Sequence, residues 1–245
     1  MPYLHTDLKD QTMRKTLSIM ILAVMAMGTL SAQTADEVAK KYVEAIGGAK
    51  KWKAIKSRKA TISLAQSGVN IPGYIVGDNS NREKLQLTFN GMTMIQAYDG
   101  TTAWTINPFQ GINDPAKLEG EQAKEISETS FLDEFIDYSK RGFKVSYEGE
   151  EDFDGAACHK LKLIKKSGTE SVHYFNKETG FQMGESQMVN GQASVTYYAD
   201  YKEVEGVKMP MKISQRTGIA PFTITITEVV FNLDVEDSEF AYPGK

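Results

Sequence analysis

From residue 59 onward the chain is punctuated by glycine-containing turn pairs, and these constrain its fold more than any other feature. Asn90-Gly91, Asp99-Gly100, Asp154-Gly155, Ser167-Gly168, Thr179-Gly180, Asn190-Gly191 and Glu205-Gly206, with a further turn signal at Gly218, separate segments of strand length. Asn-Gly and Asp-Gly favour the type I′ hairpin turn, whose two central residues both need φ > 0. Between the turns the sequence alternates. Leu85, Leu87 and Phe89 interleave with Gln86 and Thr88; Val207, Met209, Met211 and Ile213 with Lys208, Pro210 and Lys212; Phe222, Ile224 and Ile226 with Thr223, Thr225 and Thr227. This period of two predicts an antiparallel meander of about ten or eleven strands, a sandwich or barrel.

Two hairpins fix the expected faces. Across Asn90-Gly91, Phe89 faces Met92 and Leu87 faces Met94. With Asp99-Gly100 as a two-residue loop, Tyr98 faces Thr101, Ala97 faces Thr102 and Ile95 faces Trp104. One face then carries Leu85, Leu87, Phe89, Met92, Met94 and Tyr98; the other, more mixed, carries Gln86, Thr88, Thr93, Ile95 and Trp104. The strand ends at Asn107-Pro108, because proline cannot donate to a ladder. Pro210 argues for an edge or a bulge in its strand, and Glu228-Val229-Val230 breaks phase as a bulge would.

Helical period interrupts this pattern twice. Thr34-Ala35-Asp36-Glu37 is a capping box, Val38, Tyr42, Ala45 and Ile46 share a helical face, and Gly47-Gly48 supplies the stop. Trp52 and Ile55 suggest one further apolar turn. After Phe109 the sequence shows no strand period. A helical stretch containing Ala123 and Ile126 follows, and a second piece capped by Ser130 carries Phe131, Leu132, Phe135 and Ile136 as a stripe, ended by Lys140-Arg141-Gly142. The fold expected is mainly β (α+β): an unclosed antiparallel sheet curling over an N-terminal helix and an inserted helical segment. No linker or repeat divides it.

The first residues read as processing signal. Arg14 and Lys15 precede an apolar run from Leu17 to Met27 and a small-residue zone ending Leu30-Ser31-Ala32. That run is short for a membrane span, so residues 1–32 are expected to be an upstream extension plus a secretory signal peptide, with a single domain over 33–245. Gln33 stands where a lipobox would have cysteine, which predicts a periplasmic protein without a lipid anchor. Cys158 is the only cysteine, so no internal disulfide can form. The net charge of -4 lends no support to nucleic-acid binding.

No catalytic motif is present. Nucleophile elbow, P-loop and dinucleotide fingerprint are all missing. Cys158 and His159 are adjacent on a predicted strand and point to opposite faces, and His159 and His173 lack partners at ligand spacing, so neither metal nor cofactor is expected. The protein is read as a binding protein and not an enzyme. Its unusual feature is an apolar set rich in methionine, including Met183 and Met188, a residue that adapts to variable apolar shapes.

Asp99-Gly100 followed by Thr102, Trp104 and Asn107-Pro108-Phe109 resembles a segment of the periplasmic LolA-like lipoprotein carriers. In that family the segment leads into a helical lid, and Thr129-Ser130-Phe131-Leu132 stands in the comparable place. The resemblance implies an unclosed β-barrel whose concave face and lid enclose an apolar cavity for the acyl chains of lipoproteins bound for the outer membrane. The implied partners are acylated lipoproteins or another lipid, an inner-membrane release complex and an outer-membrane receptor, with the carrier a monomer. Leu85, Leu87, Phe89, Met92, Met94, Tyr98, Phe131, Leu132, Phe135, Ile136, Met209, Met211, Phe222, Ile224 and Ile226 are the expected cargo-binding residues of cavity and lid. The family's lid-holding arginine precedes a proline; here Asn79-Ser80-Asn81 occupies that place and Arg82 is displaced from it. The alternatives are a binding protein for another hydrophobic molecule and a fully packed interaction module.

Overall fold

The computed structural model describes residues 34–129, 131–189, 191–216 and 221–244. The signal-peptide, Ser130, Asn190 and Gly218 expectations lie outside these residues. Helix α1 (34–45) ends where Gly47 takes φ +108°, with the Gly48 amide donating to the Val43 carbonyl at 2.8 Å. A Cβ at Gly47 would lie 2.7 Å from the Gly206 carbonyl oxygen, so the helix end abuts a hairpin turn that only glycine permits. Helix α2 (Ala49–Ala54) follows and buries Trp52, the further apolar turn expected there.

The rest is one antiparallel sheet. Its first meander is β1 (Ser57–Gln66), β2 (Val69–Asp78), β3 (Arg82–Phe89), β4 (Met92–Tyr98), β5 (Ala103–Asn107) and β6 (Ile112–Lys117). Its second is β7 (Lys144–Phe153), β8 (Ala156–Ile164), β9 (Glu170–Asn176), β10 (Gln182–Val189), β11 (Gln192–Val204), β12 (Val207–Gln215) and β13 (Phe222–Phe231). The spatial order is β6-β5-β4-β3-β2-β1-β13-β12-β11-β10-β9-β8-β7. Among the described residues, every ladder except β1·β13 joins neighbours in sequence, and β6 and β7 are left as free edges. Among the described residues the sheet is therefore unclosed, with thirteen strands where the alternation suggests ten or eleven.

The Asn90-Gly91 hairpin has the expected register, Phe89 opposite Met92 and Leu87 opposite Met94. The next one does not. Asp99 Oδ1 accepts from the Thr101 and Thr102 amides at 2.9 and 2.7 Å, making a four-residue loop, so Tyr98 faces Ala103, Ala97 faces Trp104 and Ile95 faces Ile106. The slip is two residues, an even number, so each side chain keeps its predicted face. Strand β6 was not legible because it contains Pro115; as an edge strand it tolerates a residue without an amide donor. After Asn107 the chain therefore makes one 3₁₀ turn at Pro108–Gln110 and folds back, instead of leading directly to the lid. In β13 the phase break is a bulge, Thr61 facing Glu228 and Ile62 facing Ile226. Pro210 faces Tyr201 on β11 but lies beyond the β12·β13 ladder, which pairs only Lys212–Gln215, so that stretch is locally an edge.

Between the free edges, residues 118–143 cross from β6 to β7. They contain helix α3 (Gly120–Ser127) and then a run of turns. The expected second helix carrying Phe131, Leu132, Phe135 and Ile136 does not form. Asp133 Oδ1 takes the Phe135 amide at 2.9 Å, Asp137 adopts φ +53°, and the Ile136 amide donates to the Asp133 carbonyl at 3.1 Å. Local side-chain bonds of this kind compete with a helix. The apolar residues nevertheless pack inward. Phe131, Phe135 and Ile136 join α1, Trp52, Ile62, Leu87, Leu161, Leu163, Phe175, Val207, Met209, Met211, Ile226 and Phe231 in one core on the concave face. On the convex face of the first meander, Trp104 donates from Nε1 to the Phe240 carbonyl at 2.8 Å and, with Val76 and Ala97, is buried. Arg82 binds Asp78 and Asp237 and lies 4.8 Å from the Phe240 ring centre. It holds the C-terminal segment, on the face opposite the lid.

Candidate functional site

A cavity of about 690 Å³ lies between the crossing segment, α1 and strands β9 to β12. The crossing segment and α3 contribute Gln122, Glu128, Thr129, Leu132, Asp133, Glu134 and Phe135; α1 contributes Tyr42; the sheet contributes His173, Gln182, Glu185, Gln187, Met188, Val189, Tyr198, Tyr201 and Pro210, with Lys165 and Thr169 from the β8–β9 turn. Its size is ordinary for a small-molecule site. Its lining is more polar than an acyl-chain pocket requires.

A register irregularity builds the polar wall. Between β9 and β10, Gln182 faces Phe175 whereas Gly184 already faces Tyr174, so two residues of β10 oppose one of β9. The bulge brings Gln182 and Glu185, three residues apart, to the same face, a spacing that plain alternation forbids. Asp200, at φ +58°, lies between Tyr198 and Tyr201 on β11, whose register with β12 runs through unshifted, Ala199 facing Lys212 and Tyr201 facing Pro210.

The lid is pinned by polar contacts around Phe135. The Tyr42 hydroxyl donates to Asp133 Oδ2 at 2.5 Å, and Lys165 Nζ lies 2.5 Å from Glu134 Oε1. Phe135 packs edge-on against Tyr42, His173 and Phe175 with ring centres 5.9, 5.0 and 4.9 Å apart. The Phe131 amide donates to Asn81 Oδ1 at 3.2 Å. Burial dominates the titration of this site. It raises Glu185 to about 7, reinforced by Glu134 and opposed by the Tyr198 hydrogen bond, and raises Asp133 to about 6 against the Tyr42 hydrogen bond. It lowers His173 to about 4, against the pull of Glu134, so the imidazole is neutral.

Ser171 Oγ lies 2.7 Å from His173 Nε2, and Glu185 Oε2 lies 3.4 Å from Nδ1, the outline of a Ser-His-carboxylate chain. It is not arranged for nucleophilic catalysis. Gln182 Nε2 sits 2.9 Å from Nδ1 and also 3.4 Å from the Gly184 carbonyl, which fixes it as the donor and leaves the imidazole proton on Nε2, directed at Ser171. A histidine already holding that proton cannot take another from the serine, and Ser171 is buried outside the cavity lining. Glu134, His173 and Glu185 also offer ligand atoms within 4.8 Å of one another. Lys165 supplies the positive charge at Glu134, and both imidazole nitrogens are engaged in hydrogen bonds, while Glu185 faces the neutral imidazole.

Of the residues expected to bind cargo, Leu132 and Phe135 line this cavity. Leu87, Phe131, Ile136, Met209, Met211 and Ile226 are buried in the shared core, and Leu85, Met94 and Ile224 pack against it partly buried. Phe89 and Tyr98 are half-buried, Met92 is exposed, and Phe222 lines a shallow recess beside Gln215 and Arg216. Glu134, Lys165, Glu185, Tyr198 and Tyr201 were missed, and Tyr42 and His173 stood only as a helix-face and a strand residue. An alternating pattern ranks residues by apolarity, and these are polar.

No family model matches the chain. An uncharacterized protein of Methanocaldococcus jannaschii is 23% identical over 223 residues, 91% of this chain; the chain spans about half, 55%, of that relative's length. Among solved structures, a DUF1329 family protein from Desulfovibrio piger superposes with a TM-score of 0.58 at 14% identity, covering 86% of this chain and 98% of that one. A LolA superfamily protein from Nitrosomonas europaea gives 0.55 at 13% identity, over 86% and 97%. A candidate outer membrane lipoprotein-sorting domain from Vibrio parahaemolyticus gives 0.55 at 13%, over 85% and 97%. The fold is LolA-like.

Proposed function

We propose that this protein is a non-catalytic periplasmic carrier that shelters the apolar part of an amphiphile, a lipoprotein's acyl chains or another lipid, during transit to the outer membrane. The observation that carries this reading is a cavity bounded by a segment that bridges two unpaired sheet edges. Such a cover is held by a few polar contacts and by the inward side chains of Phe131, Phe135 and Ile136, none of them part of a strand ladder, so it can open without breaking the sheet. Each methylene removed from water contributes about 0.8 kcal/mol, enough for a short stretch of chain to drive loading. The polar wall favours a lipid bound with its head inside over acyl chains bound alone. Inner-membrane release and outer-membrane receptor partners belong to the same proposal.

Mass spectrometry of the protein taken from its native compartment tests it. A lipid or acylated peptide should be released by organic extraction. A water-soluble ligand filling the site would overturn the proposal.

A further inference from the structure

Lys165 is the common wall of two recesses. On one side lies the main cavity, whose other charged walls are acidic: Asp133, Glu134 and Glu185, with Glu128 at its border. On the other lies a shallower recess of about 350 Å³ whose charged lining is basic, Arg141, Lys165 and Lys166, except for the same Glu128. The 2.5 Å pair between Lys165 and Glu134 marks the division between the two.

This separation of sign constrains the occupant. A purely anionic head entering the cavity would meet Asp133, Glu134 and Glu185. A purely cationic head that reaches Glu134 as well as Glu185 leaves Lys165 without its carboxylate. Removing one partner of a largely buried pair is costly, because the remaining charge is uncompensated. A head bearing both signs avoids either penalty by inserting between the two, each end replacing the partner that the other end displaces. Lys165, Glu134 and Glu185 are mostly shielded, with side chains 17%, 24% and 24% exposed, so the exchange takes place where screening by water is weak.

We propose that the cavity takes the zwitterionic head of an amphiphile, an ammonium directed at Glu185 and Glu134 and a phosphodiester directed at Lys165. The inference rests on the carrier reading and narrows its cargo. The groups around Glu185 support it: Asp133 and Glu134 on the lid, Lys165 after β8, His173 and Gln182 beside it, and Tyr198 on β11. None of these is a cation at neutral pH except Lys165, which already serves Glu134. An arriving ammonium favours the ionised form of Glu185, so loading expels a proton and strengthens as pH rises from 6 to 8.

Calorimetric titration of the full chain with three short probes tests this. They are dihexanoyl-phosphatidylethanolamine, dihexanoyl-phosphatidylglycerol and octyl glucoside, at pH 6 and pH 8. The expected result is binding of the ethanolamine lipid about tenfold tighter than the glycerol lipid, with the preference growing at pH 8. Glu185→Gln and Lys165→Met should each abolish that preference, and Lys165→Arg, which keeps the charge, should retain it. Equal affinity for both phospholipids in the unaltered protein overturns the inference and leaves the carrier reading standing, as does a preference that survives both Glu185→Gln and Lys165→Met. Failure of all three probes to bind overturns the carrier reading as well.

Discussion

The two meanders share one sheet and one core but treat their concave faces differently. Under β1 to β4 the face is apolar and filled by packing: Ile62 and Leu87 are buried against the shared core, with Leu85 and Met94 beside them. Under β9 to β12 the same face carries a histidine, a glutamate, two glutamines and two tyrosines around a cavity. In a folded structure the richest apolar face is the one that satisfies itself. Space is left where polar groups, needing hydrogen bonds and pairs, hold the walls apart.

That contrast can be broken by substitution, beginning with the largest effect. Leu87→Asp places an unpaired charge in the filled half and should abolish folding, read as loss of the cooperative thermal transition. A soluble, folded variant with impaired lipid binding would instead make Leu87 a cavity residue. Phe135→Ala removes the ring that packs against Tyr42, His173 and Phe175, and should destabilise by about 3–5 kcal/mol in urea unfolding. Trp104→Phe keeps the convex-face packing but drops the hydrogen bond to the Phe240 carbonyl, for a loss of about 1–2 kcal/mol and earlier proteolysis of the C-terminal segment.

Glu185→Gln should have the opposite sign. Burial raises the folded pKa of Glu185 above its ordinary value, so its protonated form is favoured in the native state and stability falls as pH rises from about 4.5 through about 7. Glutamine mimics the protonated acid at every pH. The variant should therefore melt a few degrees higher than the parent at pH 8, corresponding to about 1 kcal/mol after allowance for partial exposure, and converge with it toward pH 5. His173 works in the other direction: held neutral, it withdraws stability as pH falls from 6.5 toward 4. In the filled half burial raises Glu83 as well, against the pull of Arg58, so a dependence of the same sign as that of Glu185 is expected there too.

The same contrast explains what could be read before the structure. Asn90-Gly91 gave its register directly because both residues adopt positive φ in a two-residue turn, 50° and 77°. Asp99-Gly100 misled by two residues because the Asp99 carboxylate caps a longer loop, which the dipeptide alone does not reveal. The opening helix, the inward set of Phe131, Phe135 and Ile136, and the β13 bulge were legible from period and phase. Glu185 was not. It faces His173 in the regular part of the register, where alternation gives no reason to choose a glutamate as a wall; Gln182 joins it through the irregular step, and nothing in Gln182-Met183-Gly184-Glu185 announces that two residues there oppose one. His173 was seen and set aside as a strand histidine, and its role depends on Ser171, Gln182 and Glu185 converging from two strands.

The ladder between β1 and β13 pairs Arg58 with Phe231, whereas every other ladder joins strands that follow one another in the chain. Local hairpins can form early in either half, but this seam must wait for two distant stretches to meet, and long-range pairing of that kind is slow. Refolding should therefore pass through a stage in which both meanders exist and their apolar faces are still apart. The bulge at Glu228 and the short overlap between β12 and β13 would make that last closure sensitive to single substitutions at Ile62 or Ile226, with folding rates moving more than unfolding rates.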